Sequence, residues 1–230
     1  MSDEVITQIV RLFVVLLISL VFHEVAHAFV AKKLGDRTAS DAGLVTLNPA
    51  PHIRREPFGT LLMPLFLLFM SDGRSFIGFA HVPIDAAWAD RNPRKAAAVS
   101  IAGPLANIVL MTVAFAGLYL LVQNDVVDPW PSEGYMFLTP IDDDSMVRAG
   151  TLILTDFVWL NAFLAIFNLM PWPPLDASHV LGGLFPKTIR PFVRSISTTP
   201  LLAFGGLIVL AIYVVPEILY TVLRFLRDLL

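Results

Sequence analysis

The sequence contains no cysteine and few charged residues. The absence of cysteine from its 230 residues excludes disulfide bonds, thiolate metal ligands and a cysteine nucleophile. Charged residues make up 15% of the chain, whereas a soluble domain carries about a quarter. Hydrophobic residues reach 56%, so charge is too scarce to cover a soluble surface, and the composition predicts a membrane protein. The net charge of −3 provides no basic field, and we expect no nucleic-acid partner.

Four apolar stretches are long enough to cross a membrane as helices. About 20 mostly apolar residues span the hydrocarbon core, and the stretches that qualify are residues 5–34, 96–122, 151–171 and 201–223. A fifth stretch, Phe58–Met70, is too short for a full span and contains a proline, which favours a re-entrant or interfacial segment. We therefore expect a mainly α-helical polytopic membrane protein, folded as a single domain over residues 1–230.

Two short segments have the composition of β-strands. Residues 44–47 and 76–79 are rich in β-forming residues and are flanked by glycine, proline and asparagine. Open sheet edges cannot face lipid, so strands here would lie at the membrane interface or line a cavity.

The distribution of charge between the apolar stretches predicts an orientation. Basic residues cluster after the first stretch, before the second and after the third, whereas residues 123–150 are strongly acidic. Because basic loops stay in the cytoplasm, these clusters are predicted inside and the acidic loop outside. That arrangement requires Phe58–Met70 not to cross the membrane.

The pattern His-Glu-x-x-His occurs at the end of the first apolar stretch. His23 and His27 are four residues apart, which places their imidazoles on one helix face, one turn apart. Glu24 is adjacent to His23 and can act as a general base on a water molecule. Ionisable groups this deep in an apolar helix are costly and indicate a functional site. The pattern therefore predicts a metal site, for which zinc is the expected ion.

A catalytic zinc ion needs a third protein ligand and an open coordination position. His52, His81 and His179 each stand alone in loop-like surroundings. Asp176 is the best acidic candidate, because it follows the third apolar stretch after a proline-interrupted segment; a turn or capping role is its alternative. His179 is a candidate fourth ligand or proton shuttle, with an interfacial position as the simpler interpretation.

Three motifs together resemble the site-2 protease family of intramembrane zinc metalloproteases, in a compact bacterial form without PDZ or CBS domains. They are the His-Glu-x-x-His motif, the segment Ser-Ile-Ala-Gly-Pro-Leu-Ala-Asn at 100–107, and the segment Asn-Leu-Met-Pro-Trp-Pro-Pro-Leu-Asp at 168–176. Their order and placement match the family over roughly residues 10–185. The resemblance implies a role for each of six residues. His23, His27 and Asp176 are implied as the metal ligands, and Glu24 as the catalytic base. Asn107 and Asn168 are implied as amides that bind substrate or stabilise the oxyanion.

The resemblance implies an activity and a location. We expect one zinc ion per chain and hydrolysis of peptide bonds in membrane-embedded or membrane-proximal substrates, with Glu24 as general base. The expected partners are a membrane protein or peptide substrate and the lipid bilayer. The expected location is a bacterial inner membrane, with the active site toward the cytoplasm. The sequence leaves the oligomeric state open.

One position departs from the family pattern. The family has Asp-Gly where this chain has Asp176-Ala177, and glycine there could serve an unusual backbone angle. Ala177 is the only feature that favours the alternative function, a catalytically inactive pseudoprotease that binds transmembrane segments. A metal transporter is disfavoured, because polar side chains are sparse in residues 96–122.

Overall fold

The computed structural model describes residues 2–73, 78–128, 139–140 and 145–230. Within these ranges the chain forms helices and one pair of two-residue strands. The helices are α1 Asp3–Leu34, α2 Thr38–Asp41, α3 Pro49–Arg55, α4 Phe58–Met70, α5 Ala86–Arg91, α6 Pro93–Gln123, α7 Ser145–Asn168, α8 Asp176–Leu184, α9 Ile189–Ser197 and α10 Pro200–Arg227, and the strands are β1 Val127–Asp128 and β2 Thr139–Pro140.

The four apolar stretches predicted as spans are confirmed as long helices. α1, α6, α7 and α10 are each long and apolar enough to cross a membrane. Local chemistry sets their ends. The Ser2 hydroxyl accepts a hydrogen bond from the Val5 amide at the start of α1, and Gly35 ends α1 in the left-handed conformation. Pro93 and Pro200 occupy the first positions of α6 and α10, where a helix needs no amide hydrogen.

The fifth apolar stretch forms the shorter helix α4, which begins with a π-helical turn at Phe58–Leu62. Its length agrees with the sequence expectation. That α4 enters the membrane without crossing it stays a prediction.

The strand prediction for residues 44–47 is wrong. This segment contains bends and no strand. Leu44 follows α2, and its amide donates to the carbonyl of Ala39 within that helix. The Leu44 side chain is buried against Ala28 and Ala39. These contacts with α1 and α2 therefore determine the conformation of this short segment, in spite of its β propensity.

The second predicted strand lies partly outside the described residues, which exclude 74–77. Gly78 and Phe79 have no regular structure, and the Phe79 amide donates to the Gly59 carbonyl in α4. Among the described residues, the one strand pair is β1 with β2, which join antiparallel with Val127 opposite Pro140. Both strands lie within the acidic segment 123–150.

α6 occupies the centre of the molecule and packs against α1, α7 and α8. α1 and α7 share a core that includes Leu16 and Leu160, whereas α10 covers the other side of α7 through Leu219 and Leu223. The histidine-bearing part of α1 therefore faces α6, close to the first residue of α8.

Candidate metal centre

His23 and His27 lie on the buried face of α1 and point toward Asp176. The two Nε2 atoms are 3.1 Å apart. Asp176 is the first residue of α8; its Oδ2 lies 3.2 Å from His23 Nε2 and its Oδ1 lies 3.4 Å from His27 Nε2. The structure thus brings the two histidines of α1 together with a carboxylate that follows His27 by 149 residues in the sequence.

These separations fit a tetrahedral zinc site. Zinc binds imidazole nitrogen and carboxylate oxygen at about 2.0–2.1 Å, so adjacent tetrahedral ligand atoms lie about 3.3 Å apart. The two Nε2 atoms, 3.1 Å apart, are close to that value, and a different Asp176 oxygen faces each ring, Oδ2 at 3.2 Å from His23 Nε2 and Oδ1 at 3.4 Å from His27 Nε2. One ligand atom from each residue lies within 4.8 Å of the other two. Both rings and the carboxylate therefore suit one shared ion.

The far side of each imidazole is held by α6. His27 Nδ1 lies 2.7 Å from the Val99 carbonyl oxygen, and His23 Nδ1 lies 2.6 Å from Asn107 Oδ1. A carbonyl oxygen can only accept, so Nδ1 of His27 carries its proton and Nε2 is left with a lone pair. Hydrogen bonds of this kind orient the histidine ligands of metal sites.

Two buried carboxylate oxygens lack a hydrogen-bond partner within the described part of the chain, and they are Glu24 Oε2 and Asp176 Oδ2. An unpaired buried carboxylate is costly, so such oxygens indicate an absent partner. A cation bound by Asp176 would satisfy one of them. Glu24 is not part of the three-ligand cluster, which leaves its carboxylate available for proton transfer.

Gly103 of α6 leaves room for this cluster. A Cβ atom at this position would lie 2.3 Å from His27 Nε2 and 2.5 Å from His23 Nε2, well inside contact distance. Any larger residue would therefore fill the space between the imidazoles. The motif that contains Gly103 was recognised in the sequence, but this steric role required the helix packing.

Comparison with known proteins agrees with this geometry. Residues 11–152, more than half of the chain, match the profile of peptidase family M50. The chain belongs to peptidase family M50. This is the site-2 protease family of metalloproteases, so the resemblance seen in the sequence is confirmed.

Named M50 relatives occur in bacteria. The chain is 32% identical to the Bacillus subtilis protein named "Putative zinc metalloprotease YwhC", over 94% of this chain and 87% of that protein. It is 30% identical to the Mycolicibacterium smegmatis protein named "Putative zinc metalloprotease Rip2", over 88% of this chain and 66% of that protein. No solved structure matches the chain at a significant level. Membership of family M50 and the four long apolar helices together indicate a multi-pass membrane metalloprotease.

The asparagines expected to contact substrate occupy different surroundings in this M50 protein. Asn107 is fully buried and contacts His23. Asn168 is half-buried at the end of α7, and its amide donates to the Leu164 carbonyl in its own helix. A role for Asn107 or Asn168 in substrate or oxyanion binding stays a prediction.

The remaining histidines lie apart from the cluster. A ring nitrogen of His52 bonds the Thr46 carbonyl, and His81 pairs with Glu56 at 3.0 Å. His179 is an exposed residue of α8 and is not in the cluster. The structure therefore places none of these three histidines, all described, among the candidate ligands.

Ala177 fits its position without backbone strain. It is buried in the first turn of α8, and the non-glycine residues with positive φ among those described are Asp72 and Asp125. The glycine of the M50 pattern is therefore not required here for a left-handed angle. Ala177 was the one feature that favoured an inactive pseudoprotease, and its backbone conformation gives that alternative no support.

Proposed function

We propose that this protein is an intramembrane zinc metalloprotease in which His23, His27 and Asp176 hold one zinc ion and Glu24 is the general base. The convergence of the two imidazole Nε2 atoms, 3.1 Å apart, with the Asp176 carboxylate, which has an oxygen within 3.4 Å of each ring, carries this proposal. The zinc ion, when bound, supplies a Lewis acid that polarises the scissile carbonyl and acidifies a water molecule.

Glu24 moves the protons. Its carboxylate lies beside His23 on the buried face of α1, and its Oε2 has no competing hydrogen-bond partner among the described residues. It accepts a proton from the attacking water and then delivers that proton to the amine that leaves. Burial of Glu24, which is 3% exposed, keeps bulk water away from the reacting groups.

The substrate is a membrane-embedded or membrane-proximal peptide segment. The proposed site lies at a helix that is apolar enough to span a bilayer, so a segment that reaches it comes through or along the membrane. The segment must be extended at the cleavage point, because a helix shields its own amides. The basic residues Lys32 and Lys33, close after the site on α1, favour a cytoplasmic position for it.

Cleavage of a transmembrane peptide by purified protein in liposomes tests the proposal, with Glu24→Gln as the decisive variant. Gln has the shape of Glu but cannot accept the proton, so we expect cleavage to fall by about 10²–10⁴-fold while the zinc content stays at that of the wild type. A chelator should abolish wild-type cleavage, and added zinc should restore it.

Two results would contradict this function. Full cleavage by Glu24→Gln would remove Glu24 from the chemistry. Tight binding of transmembrane peptides by zinc-loaded wild-type protein, without cleavage of any of them, would instead identify a pseudoprotease.

A further inference from the structure

A chain of buried hydrogen bonds leads away from the side of His23 that faces α6. It runs through Asn107 of α6 to Asn161 of α7 and Ser19 of α1. Asn107, Asn161 and Ser19 are each 0% exposed. Three helices thus meet at a polar node within an apolar core, where every donor must find an acceptor.

The direction of these hydrogen bonds is fixed at the end remote from His23. The Ser19 hydroxyl donates its single hydrogen to the Val15 carbonyl at 2.8 Å, so its oxygen must accept from Asn161. The same Asn161 nitrogen is 2.9 Å from the Phe157 carbonyl, which can only accept. Both partners therefore require the NH₂ group of Asn161, and its Oδ1 must face Asn107.

The orientation of Asn161 determines that of Asn107, and Asn107 in turn determines which ring nitrogen of His23 carries the proton. Asn161 Oδ1 is 2.8 Å from Asn107 Nδ2, which is also 3.5 Å from the Ser19 carbonyl, so the NH₂ group of Asn107 points that way. Asn107 Oδ1 is left facing His23 Nδ1. The nitrogen must then carry a proton, and Nε2 of His23 presents a lone pair toward Asp176.

We propose that Asn161 is a positioning residue that sets the amide orientation of Asn107 and, through it, the metal-binding tautomer of His23. This inference rests on the proposed function, because the tautomer matters only for a metal ligand. Without Asn161, only the long 3.5 Å contact with the Ser19 carbonyl would oppose a half-turn of the Asn107 amide. Its NH₂ group would then favour the His23 tautomer with the proton on Nε2, and that nitrogen, which faces Asp176, could no longer bind a metal.

The zinc affinity of purified Asn161→Leu, measured by competition with a chromophoric chelator, tests the proposal. Leucine is close to asparagine in size but offers neither donor nor acceptor, so we expect zinc to bind about 10–100-fold more weakly. Thr155→Val is the matched control, because Thr155 is buried in the same helix and its hydroxyl donates to the Thr151 carbonyl of that helix. The control should bind zinc as the wild type does.

A second background separates positioning from a general loss of stability. In Asn107→Asp, either carboxyl oxygen can accept from His23, so the orientation of the side chain no longer matters. Adding Asn161→Leu to that background should therefore cost no further zinc affinity, although thermal unfolding would still report any packing defect. If Asn161→Leu does not fold, Asn161→Ser also removes the amide and carries the same expectations.

The outcomes are distinguishable. Wild-type zinc affinity in the folded single variant would overturn the positioning role alone. An equal loss in both backgrounds would show a structural effect and also overturn it. Absence of zinc binding by the wild-type protein would overturn the proposed function and this inference with it.

Discussion

At the scale of single residues, the proposed site depends on Gly103 and Asn161 as well as on its ligands. Gly103 leaves room for the two imidazoles, and Asn161 bonds the Asn107 amide that contacts His23. These roles come from the contacts of α1 with α6 and α7, which no one-dimensional pattern displays. His23, Glu24 and His27, in contrast, were identifiable in the sequence because a spacing of four residues is a local property of a helix.

The steric role of Gly103 gives the first residue-scale prediction. In Gly103→Ala, the added methyl group overlaps His23 Nε2 and His27 Nε2. Such overpacking costs about 1–3 kcal/mol, equivalent to roughly 5–150-fold in zinc affinity. The affinity is measured by chelator competition. Gly150→Ala is the control, since a methyl group there meets nothing within 4 Å; equal zinc affinity in the two variants would refute this role of Gly103.

At the scale of elements, helix existence was predictable and loop structure was not. Long apolar runs determine α1, α6, α7 and α10 almost by themselves. Residues 44–47 do not form the predicted strand, because the Leu44 amide donates to a carbonyl of the neighbouring helix α2. The approach of α8 to α1 depends on tertiary packing, so it was inferred indirectly, from the need for a third metal ligand and from the family resemblance. The turn that precedes α8 is anchored by the Trp172 indole, which donates to the Ala203 carbonyl in α10.

A buried carboxylate also joins three elements at the end of α1. Asp36, 3% exposed, accepts hydrogen bonds from the amide and hydroxyl of Thr38 at the start of α2 and from the Asp85 amide before α5. Burial acts to raise the pKa of Asp36, but these three hydrogen bonds outweigh it and hold the pKa below its ordinary value of 3.8.

This carboxylate gives a pH-dependent prediction at the element scale. In Asp36→Asn, an NH₂ group replaces one of the two accepting oxygens, so at least one of these hydrogen bonds is lost. We therefore expect the unfolding free energy to fall by about 1–3 kcal/mol. Because the pKa is lower in the folded state, the advantage of the wild type is complete above pH 3.8 and is lost as the pH falls through the folded-state pKa. Thermal unfolding in detergent at several pH values measures it. An advantage that grows on acidification would contradict this account.

At the scale of the whole molecule, the charge pattern and the helices combine into one topology. The structure confirms four helices able to span a membrane, and the basic segments predict which ends lie in the cytoplasm. Their orientation in the membrane stays a prediction. If the acidic loop is outside and α4 does not cross, as predicted, the proposed site would lie toward the cytoplasm.

The absence of cysteine makes this topology directly testable. Single cysteines introduced by Asn124→Cys and Asp41→Cys replace exposed residues at opposite predicted faces. A membrane-impermeant maleimide should label Asn124→Cys in intact cells and Asp41→Cys only after the membrane is opened. The reverse pattern would invert the orientation, and labelling of both in intact cells would show that α4 or another segment crosses differently.

The zinc content of purified protein tests the central claim most directly, because everything else depends on three side chains sharing one ion. We expect about one zinc per chain in the wild type and in Glu24→Gln, and less than about a tenth of that in His23→Ala, His27→Ala and Asp176→Ala. Full zinc occupancy in Asp176→Ala, with affinity unchanged, would contradict the site as described.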